Sequence, residues 1–234
     1  MKIETLLTNK NDYQSGWIEA YERKKDGYLW KEEPIEFLSR HISLFKKYNI
    51  YKILDVNCGD GRNCLYLAEN DFFVTGIDIS PIALQKTLVT SNERNINSLC
   101  LVKANAEELP CPFPMHFFDA IVCLDVFGQL SNIKRTVTGF NEVLKDDGLL
   151  LTNLYTPDDE TFGKGTKVEE NTFLYKKTLF RFFTESDIQK IFSNFKILEI
   201  EKLCWEDPPH PGYRDTKHTH ESYVVLLKNI KKKS

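Results

Sequence analysis

The chain lacks long apolar runs: nowhere in its 234 residues is there a stretch near the roughly 18 apolar residues that a membrane-spanning helix needs. Its opening residues, MKIETLLTNKNDYQ, also lack the apolar core of a signal peptide, so they carry no export signal. The cysteines are Cys58, Cys64, Cys100, Cys111, Cys123 and Cys204. They form no CxxC pair and no small disulfide-rich frame. Several fall in apolar, strand-like segments, where a thiol packs as a small core residue, and a reducing cytoplasm is the expected compartment. Excess charge is missing as well. A formal net charge of -3 gives no general attraction to nucleic acid or anionic membrane, and the terminal KKKS reads as a solvated tail. Internal repeats and low-complexity linkers are absent, so residues 1–234 read as one domain. With 41% hydrophobic and 28% charged residues, the chain can bury a sizeable core.

From about residue 50, apolar runs alternate with helical stripes, the pattern of a parallel sheet with crossover helices. KILDV (52–56) reads as a buried strand and GRNCLYLAEN as the start of a helix. FFVTGIDIS gives a second strand ending at Asp78, with Ser80 as N-cap and Pro81 in the first turn of the next helix. SLCLVKANA (98–106), FFDAIVCLDVF (117–127) and the segment entered through Asp147 and Gly148 supply strands three to five. Residues 132–145 form a helix between the last two, burying Val137, Phe140, Val143 and Leu144. The order βαβαβ…βαβ predicts a doubly wound sheet.

Outside this core (50–155), residues near 15–25 and 34–48 read as amphipathic helices of an N-terminal cap (1–49). The polar stretch 156–171 reads as a mobile loop near the site mouth. It is followed by a helix capped by Thr184 and Asp187, with Phe180, Phe182 and Phe183 packing the lid or the core. FKILEIEKL and SYVVLLKNI read as two closing strands of the segment 156–234.

A doubly wound sheet binds its ligand at the carboxyl ends of its strands. Here the first strand carries Asp55 and runs into NCGDG, where Gly59 and Gly61 permit positive φ and close backbone approach. Asn57 stands where another glycine is expected, and asparagine tolerates the left-handed region well. A dinucleotide would call for G-x-G-x-x-G, but Cys64 falls at the third glycine position. Asp78 would hold a ribose diol under either reading. Asp55 separates them: a carboxylate repels a pyrophosphate and attracts a cation or an ammonium group.

These segments resemble the class I S-adenosylmethionine-dependent methyltransferases. LDVNCGDGRN is similar to their D-x-G-x-G-x-G loop and VTGIDIS to their ribose-binding strand end. ANAEELPCPFPMHFFDAIVCLDVF and EVLKDDGLLL are similar to the segments that follow. GDGRNCLYLAEN resembles the small-molecule branch that includes tellurite-resistance-type enzymes. The resemblance implies a Rossmann-like, mostly parallel seven-stranded sheet with an antiparallel C-terminal strand and N-terminal helices. It implies S-adenosyl-L-methionine as cofactor, S-adenosyl-L-homocysteine as product, and a small-molecule methyl acceptor. It places Asp55, Asn57, Gly59 and Gly61 at the methionine end, Asn63 also against the cofactor, and Asp78 at the ribose. Ile79, Asn105 and Ala106 then meet the adenine, and Leu124 and Asp125 form the wall after the fourth strand. Asn57 and Asn105 depart from the glycine and aspartate usual there. Trp30, with Tyr28, would cover cofactor or substrate, or else pack the N-terminal helices.

EDPPHPGYRDTKHTH (206–220) gathers His210, His218 and His220 with Glu206 and Asp207. DPPH superficially matches the D-P-P-Y motif of DNA amino-methyltransferases, but it stands away from the fourth strand, where that motif belongs. H-x-H on an extended segment lacks a complete ligand set, so no metal site is assigned. The histidines are instead expected on the acceptor side, where imidazole can accept a proton as methyl transfer proceeds; a surface loop is the plainer alternative. Two other functions compete: a nicotinamide-dependent oxidoreductase, for which no substrate domain is evident, and a non-catalytic cofactor-binding protein. The acceptor atom and the oligomeric state stay open.

Overall fold

In the computed structural model, which describes residues 15–24, 27–209 and 214–230, the strand β1 (Lys52–Val56) lies in the interior of the main sheet. Ile53, Leu54 and Val56 are all buried because helices cover both faces of the sheet. The chain passes outward through α3 (Arg62–Glu69), β2 (Phe73–Asp78), α4 (Pro81–Glu93) and β3 (Leu99–Lys103). It then crosses back to β4 (Phe118–Cys123), α5 (Ile133–Val143) and β5 (Leu144–Tyr155). After α6 (Glu185–Ile191), the strands labelled here β9 (Phe195–Asp207) and β10 (His218–Asn229) complete a seven-stranded sheet of order β3-β2-β1-β4-β5-β10-β9. Strands β1 to β5 are parallel, and β10 runs antiparallel to both of its neighbours. The expected doubly wound, mostly parallel sheet is therefore present, with its order reversing between β1 and β4.

Local chemistry fixes the ends of these elements. Ser80 caps α4, accepting from the Ala83 N–H at 3.3 Å, with Pro81 in the first turn. In the reciprocal box at α6, the Asp187 N–H donates to Thr184 Oγ1 at 3.3 Å and the Thr184 N–H to Asp187 Oδ2 at 2.9 Å. Helix α5 lays Val137, Phe140 and Val143 onto one face of the sheet, where Phe127, Phe183 and Phe192 join them. Of the N-terminal helices α1 (Ser15–Arg23) and α2 (Glu36–Lys47), α2 covers the other face with Phe37, Leu38 and Phe45. Phe140 is fully buried, so Phe140→Ala is expected to cost about 3–5 kcal/mol through lost transfer energy and a residual cavity. A urea midpoint unchanged from wild type would contradict that packing.

Four expectations need correcting. The fourth strand stops at Cys123 rather than continuing to residue 127, because Asp125 adopts a φ of 59°. The third is likewise shorter, since Asn105 and Ala106 leave the strand to cap and begin a short 3₁₀ turn. The stretch from 166 is no loop: β6 (Thr166–Glu169), β7 (Thr172–Tyr175) and β8 (Thr178–Arg181) form a separate antiparallel sheet. Its second hairpin turns through Lys176 and Lys177, at φ values of 49° and 59°. That is a two-residue turn usually written Asn-Gly or Asp-Gly, and two lysines do not announce it. The closing strands also run further than expected, so that β10 includes His218 and His220.

Candidate active site

Beyond β1 the backbone enters the left-handed region at Asn57 (φ 56°), Gly59 (φ 57°) and Gly61 (φ 100°). Asparagine fills the first of these positions as its tolerance allows, whereas a Cβ at Gly59 would run into the Tyr21 hydroxyl. The turn is tied to β2 by Asp78. Its Oδ2 accepts from the Gly59 N–H at 2.9 Å and its Oδ1 from the Ser80 N–H at 2.8 Å. Burial pushes the Asp78 carboxyl up to about 6, with those backbone bonds opposing.

The N-terminal segment is pinned over this turn. Asp60 accepts from the Leu29 N–H, and Asn63 Oδ1 accepts from the Ile35 N–H at 3.2 Å. Trp30 lies 5.3 Å from Trp17, ring centre to ring centre, and Trp17 donates to Gln129 Oε1 at 2.7 Å. Across the cavity, Arg62 pairs with Asp125 at 2.8 Å, and Asn153 holds the other Asp125 oxygen at 2.9 Å.

The far wall comes from the small β-sheet, through Tyr175 and Phe180, and from β9 and β10. His220 Nδ1 lies 2.8 Å from Asp159 Oδ2. Burial opposes ionisation of Asp159, but the hydrogen bond and charge of His220, with two backbone N–H bonds, hold it below the usual carboxylate range. Tyr155 stacks on the His220 ring at 5.0 Å.

One cavity thus takes in Trp30, Asn57, Gly59, Asn63, Asp78, Ile79, Leu124, Asp125, His218 and His220. Four other expected residues do not line it. Asp55 is 1% exposed and lies beneath the turn, where the Cys64 N–H donates to it. Gly61 packs inward against Thr87 and Leu65. The Asn105 side chain is spent on the Glu107 N–H at 3.0 Å, and Ala106 is buried in the core. His210 lies outside the described residues. Arg62, Gln129, Tyr155 and Arg214 join the cavity, and Asp159 stands behind it on His220, without having been singled out from the sequence. Arg62, directly after the turn, is the one whose place in the chain could have signalled it.

The residues fit S-adenosylmethionine better than a dinucleotide. Each Asp78 oxygen accepts one backbone bond and has capacity for a second, as ribose hydroxyls require. The turn brings carboxylates, and its one cation, Arg62, is committed to Asp125, which disfavours a pyrophosphate. Asp78 would hold the ribose, Ile79 the adenine, and Asn57 with Gly59 the methionine end.

A family model described as a methyltransferase domain matches residues 54–152. A methyltransferase of Geobacillus sp. (strain WCH70) is 26% identical over 145 residues, spanning 55% of this chain and about half (53%) of that protein. A ubiquinone biosynthesis O-methyltransferase of Rickettsia akari is 26% identical over 226 residues, 88% of this chain and 84% of its own. Among solved structures, the Burkholderia thailandensis 1,6-didemethyltoxoflavin-N1-methyltransferase superposes with a TM-score of 0.65 at 14% identity. That match covers 98% of this chain and 94% of the other.

Proposed function

We propose that the chain is a class I S-adenosylmethionine-dependent methyltransferase whose acceptor is a small molecule bound between the glycine turn and β10. The observation that carries this reading is the single cavity shared by Asp78, the turn, a set of aromatic side chains and the two imidazoles of β10. S-adenosylmethionine supplies the electrophilic methyl group. Trp17, Trp30, Tyr155, Tyr175 and Phe180 offer apolar area with polar edges, suited to a molecule the size of a metabolite. Methyl transfer is an in-line displacement, so the protein's part is to orient the acceptor and to take away its proton. Loss of that proton belongs to the end of the cavity bearing His218 and His220. The Rickettsia relative is named an O-methyltransferase and the Burkholderia structure an N1-methyltransferase with its small-molecule acceptor bound. Both support a small acceptor while differing in the atom methylated.

Calorimetry with S-adenosylmethionine, S-adenosylhomocysteine and NAD, followed by transfer assays with hydroxyl, amine and thiol acceptors, tests the proposal. Binding of both sulfur compounds and turnover of at least one small acceptor is expected. Methylation confined to protein or nucleic acid would overturn it. The bonds from Asp60 and Asn63 to the N-terminal segment give a second expectation: amide exchange at residues 27–35 slows when cofactor and acceptor are added together. Unchanged exchange would make that segment fixed scaffold.

A further inference from the structure

We propose that Asp207, His218 and His220 form a divalent-metal site at the acceptor end of the cavity. H-x-H alone has no third ligand, and the strand register supplies one. In the antiparallel β9–β10 pair, His218 faces Asp207 and His220 faces Trp205. One ligand atom from each of Asp207, His218 and His220 lies within 4.8 Å of the others, and His220 Nε2 is 4.0 Å from Asp207 Oδ2. Ligand atoms bonded to a first-row ion at about 2.0–2.2 Å stand roughly 3.3 Å apart, so a small inward shift of the side chains closes the set.

The orientation of the two rings argues further. His218 Nδ1 lies 2.9 Å from the Thr216 carbonyl oxygen, which can only accept, so that nitrogen carries the hydrogen. His220 Nδ1 lies 2.8 Å from Asp159 Oδ2, a carboxylate oxygen that also accepts from the Glu221 N–H, and carries the hydrogen for the same reason. His220 therefore turns Nε2, the electron-pair end, toward Asp207, and His218 carries its electron pair on Nε2, the nitrogen remote from Thr216; outer carbonyls and carboxylates orient metal-binding histidines in this way. A general base needs one such ring. Here two lie 4.8 Å apart, centre to centre, beside a carboxylate, and Lys31 bonds the other oxygen of that carboxylate at 2.7 Å.

Two imidazole nitrogens and one carboxylate oxygen suit Zn²⁺, Mn²⁺ or Fe²⁺ better than Ca²⁺ or Mg²⁺. All three residues line the cavity, so the remaining coordination positions face the acceptor. Resting on the methyltransferase reading, this makes the acceptor a hydroxyl-bearing small molecule. Its oxygen binds the ion and gives its proton to solvent. That oxygen's electron pair forms the bond to the methyl carbon, the sulfur–carbon bond breaks, and its pair returns to sulfur.

The test strips the protein with a chelator and adds Zn²⁺ or Mn²⁺ singly, followed by calorimetry and by electron paramagnetic resonance respectively. One ion per chain is expected. Asp207→Asn, His218→Ala and His220→Ala should each weaken binding at least tenfold. Asp159→Asn, which touches no ion, should weaken it by about 10- to 100-fold through lost ring orientation. S-adenosylmethionine affinity should stay within about twofold in all four. No saturable ion binding by the wild type, or binding indifferent to all four variants, overturns the site and returns His220, with Asp159, to the role of direct proton acceptor. Ion binding without S-adenosylmethionine binding would keep the site and remove the methyltransferase reading.

Discussion

Replacing Asp78 by asparagine is expected to weaken S-adenosylmethionine binding about a hundredfold or more. The carboxylate already accepts the Gly59 and Ser80 N–H groups, one on each oxygen, and ribose hydroxyls would add two further bonds. Hydrogen bonds to a charged group contribute about 1.5–3 kcal/mol each, so losing two costs about 3–6 kcal/mol. Asparagine keeps the shape but offers one accepting oxygen, and its amide nitrogen would confront a backbone N–H. Calorimetry with S-adenosylmethionine and S-adenosylhomocysteine measures the loss, with melting curves to show that the variant is folded. Because burial lifts Asp78 to about 6, and ribose hydroxyls favour the ionised form, wild-type affinity should fall as pH drops through that value. Retained affinity in the folded variant would place the ribose elsewhere.

That Asp78 could be picked out as a candidate at all reflects chemistry local in the chain. Asp78 ends an apolar run, Ser80 and Pro81 announce the helix after it, and Asn57 fits a left-handed position that few side chains tolerate. The capping box at Thr184 is legible for the same reason: its partners are three residues apart. The end of the cavity at β9 and β10 is set by pairings distant in sequence. Asp207 meets His218 only through the register of β9 and β10, and Asp159 reaches His220 across 61 residues. The small β-sheet was hidden because its tight turn uses two lysines at positive φ, leaving only short apolar alternation within a polar stretch. Asp55 shows the opposite limit: the motif marks it at the end of β1, just before the turn, but motif and spacing say nothing of depth.

The depth of Asp55 leads to the other large effect, on stability rather than on binding. Its side chain is 1% exposed, and its Oδ2 has no hydrogen-bond partner among the described residues. Burial pushes the carboxyl up to about 8; Arg62 opposes the shift by charge, and Asp78 adds to it. In the unfolded chain the same group titrates near 3.9. Between those values the folded state binds more protons than the unfolded state, so stability falls as pH rises. The contribution is fully present below about 4 and is lost as pH passes through about 8. Each pH unit of displacement is worth about 1.4 kcal/mol, which puts the cost of ionising Asp55 on the order of 5 kcal/mol. Asp55→Asn removes the charge at nearly constant volume. It should leave the melting temperature close to wild type at pH 5 and raise it well above wild type at pH 9, with a flatter profile between. Parallel curves for the two proteins from pH 5 to 9 would mean that Asp55 is ionised throughout, held by Arg62 strongly enough to overcome its burial.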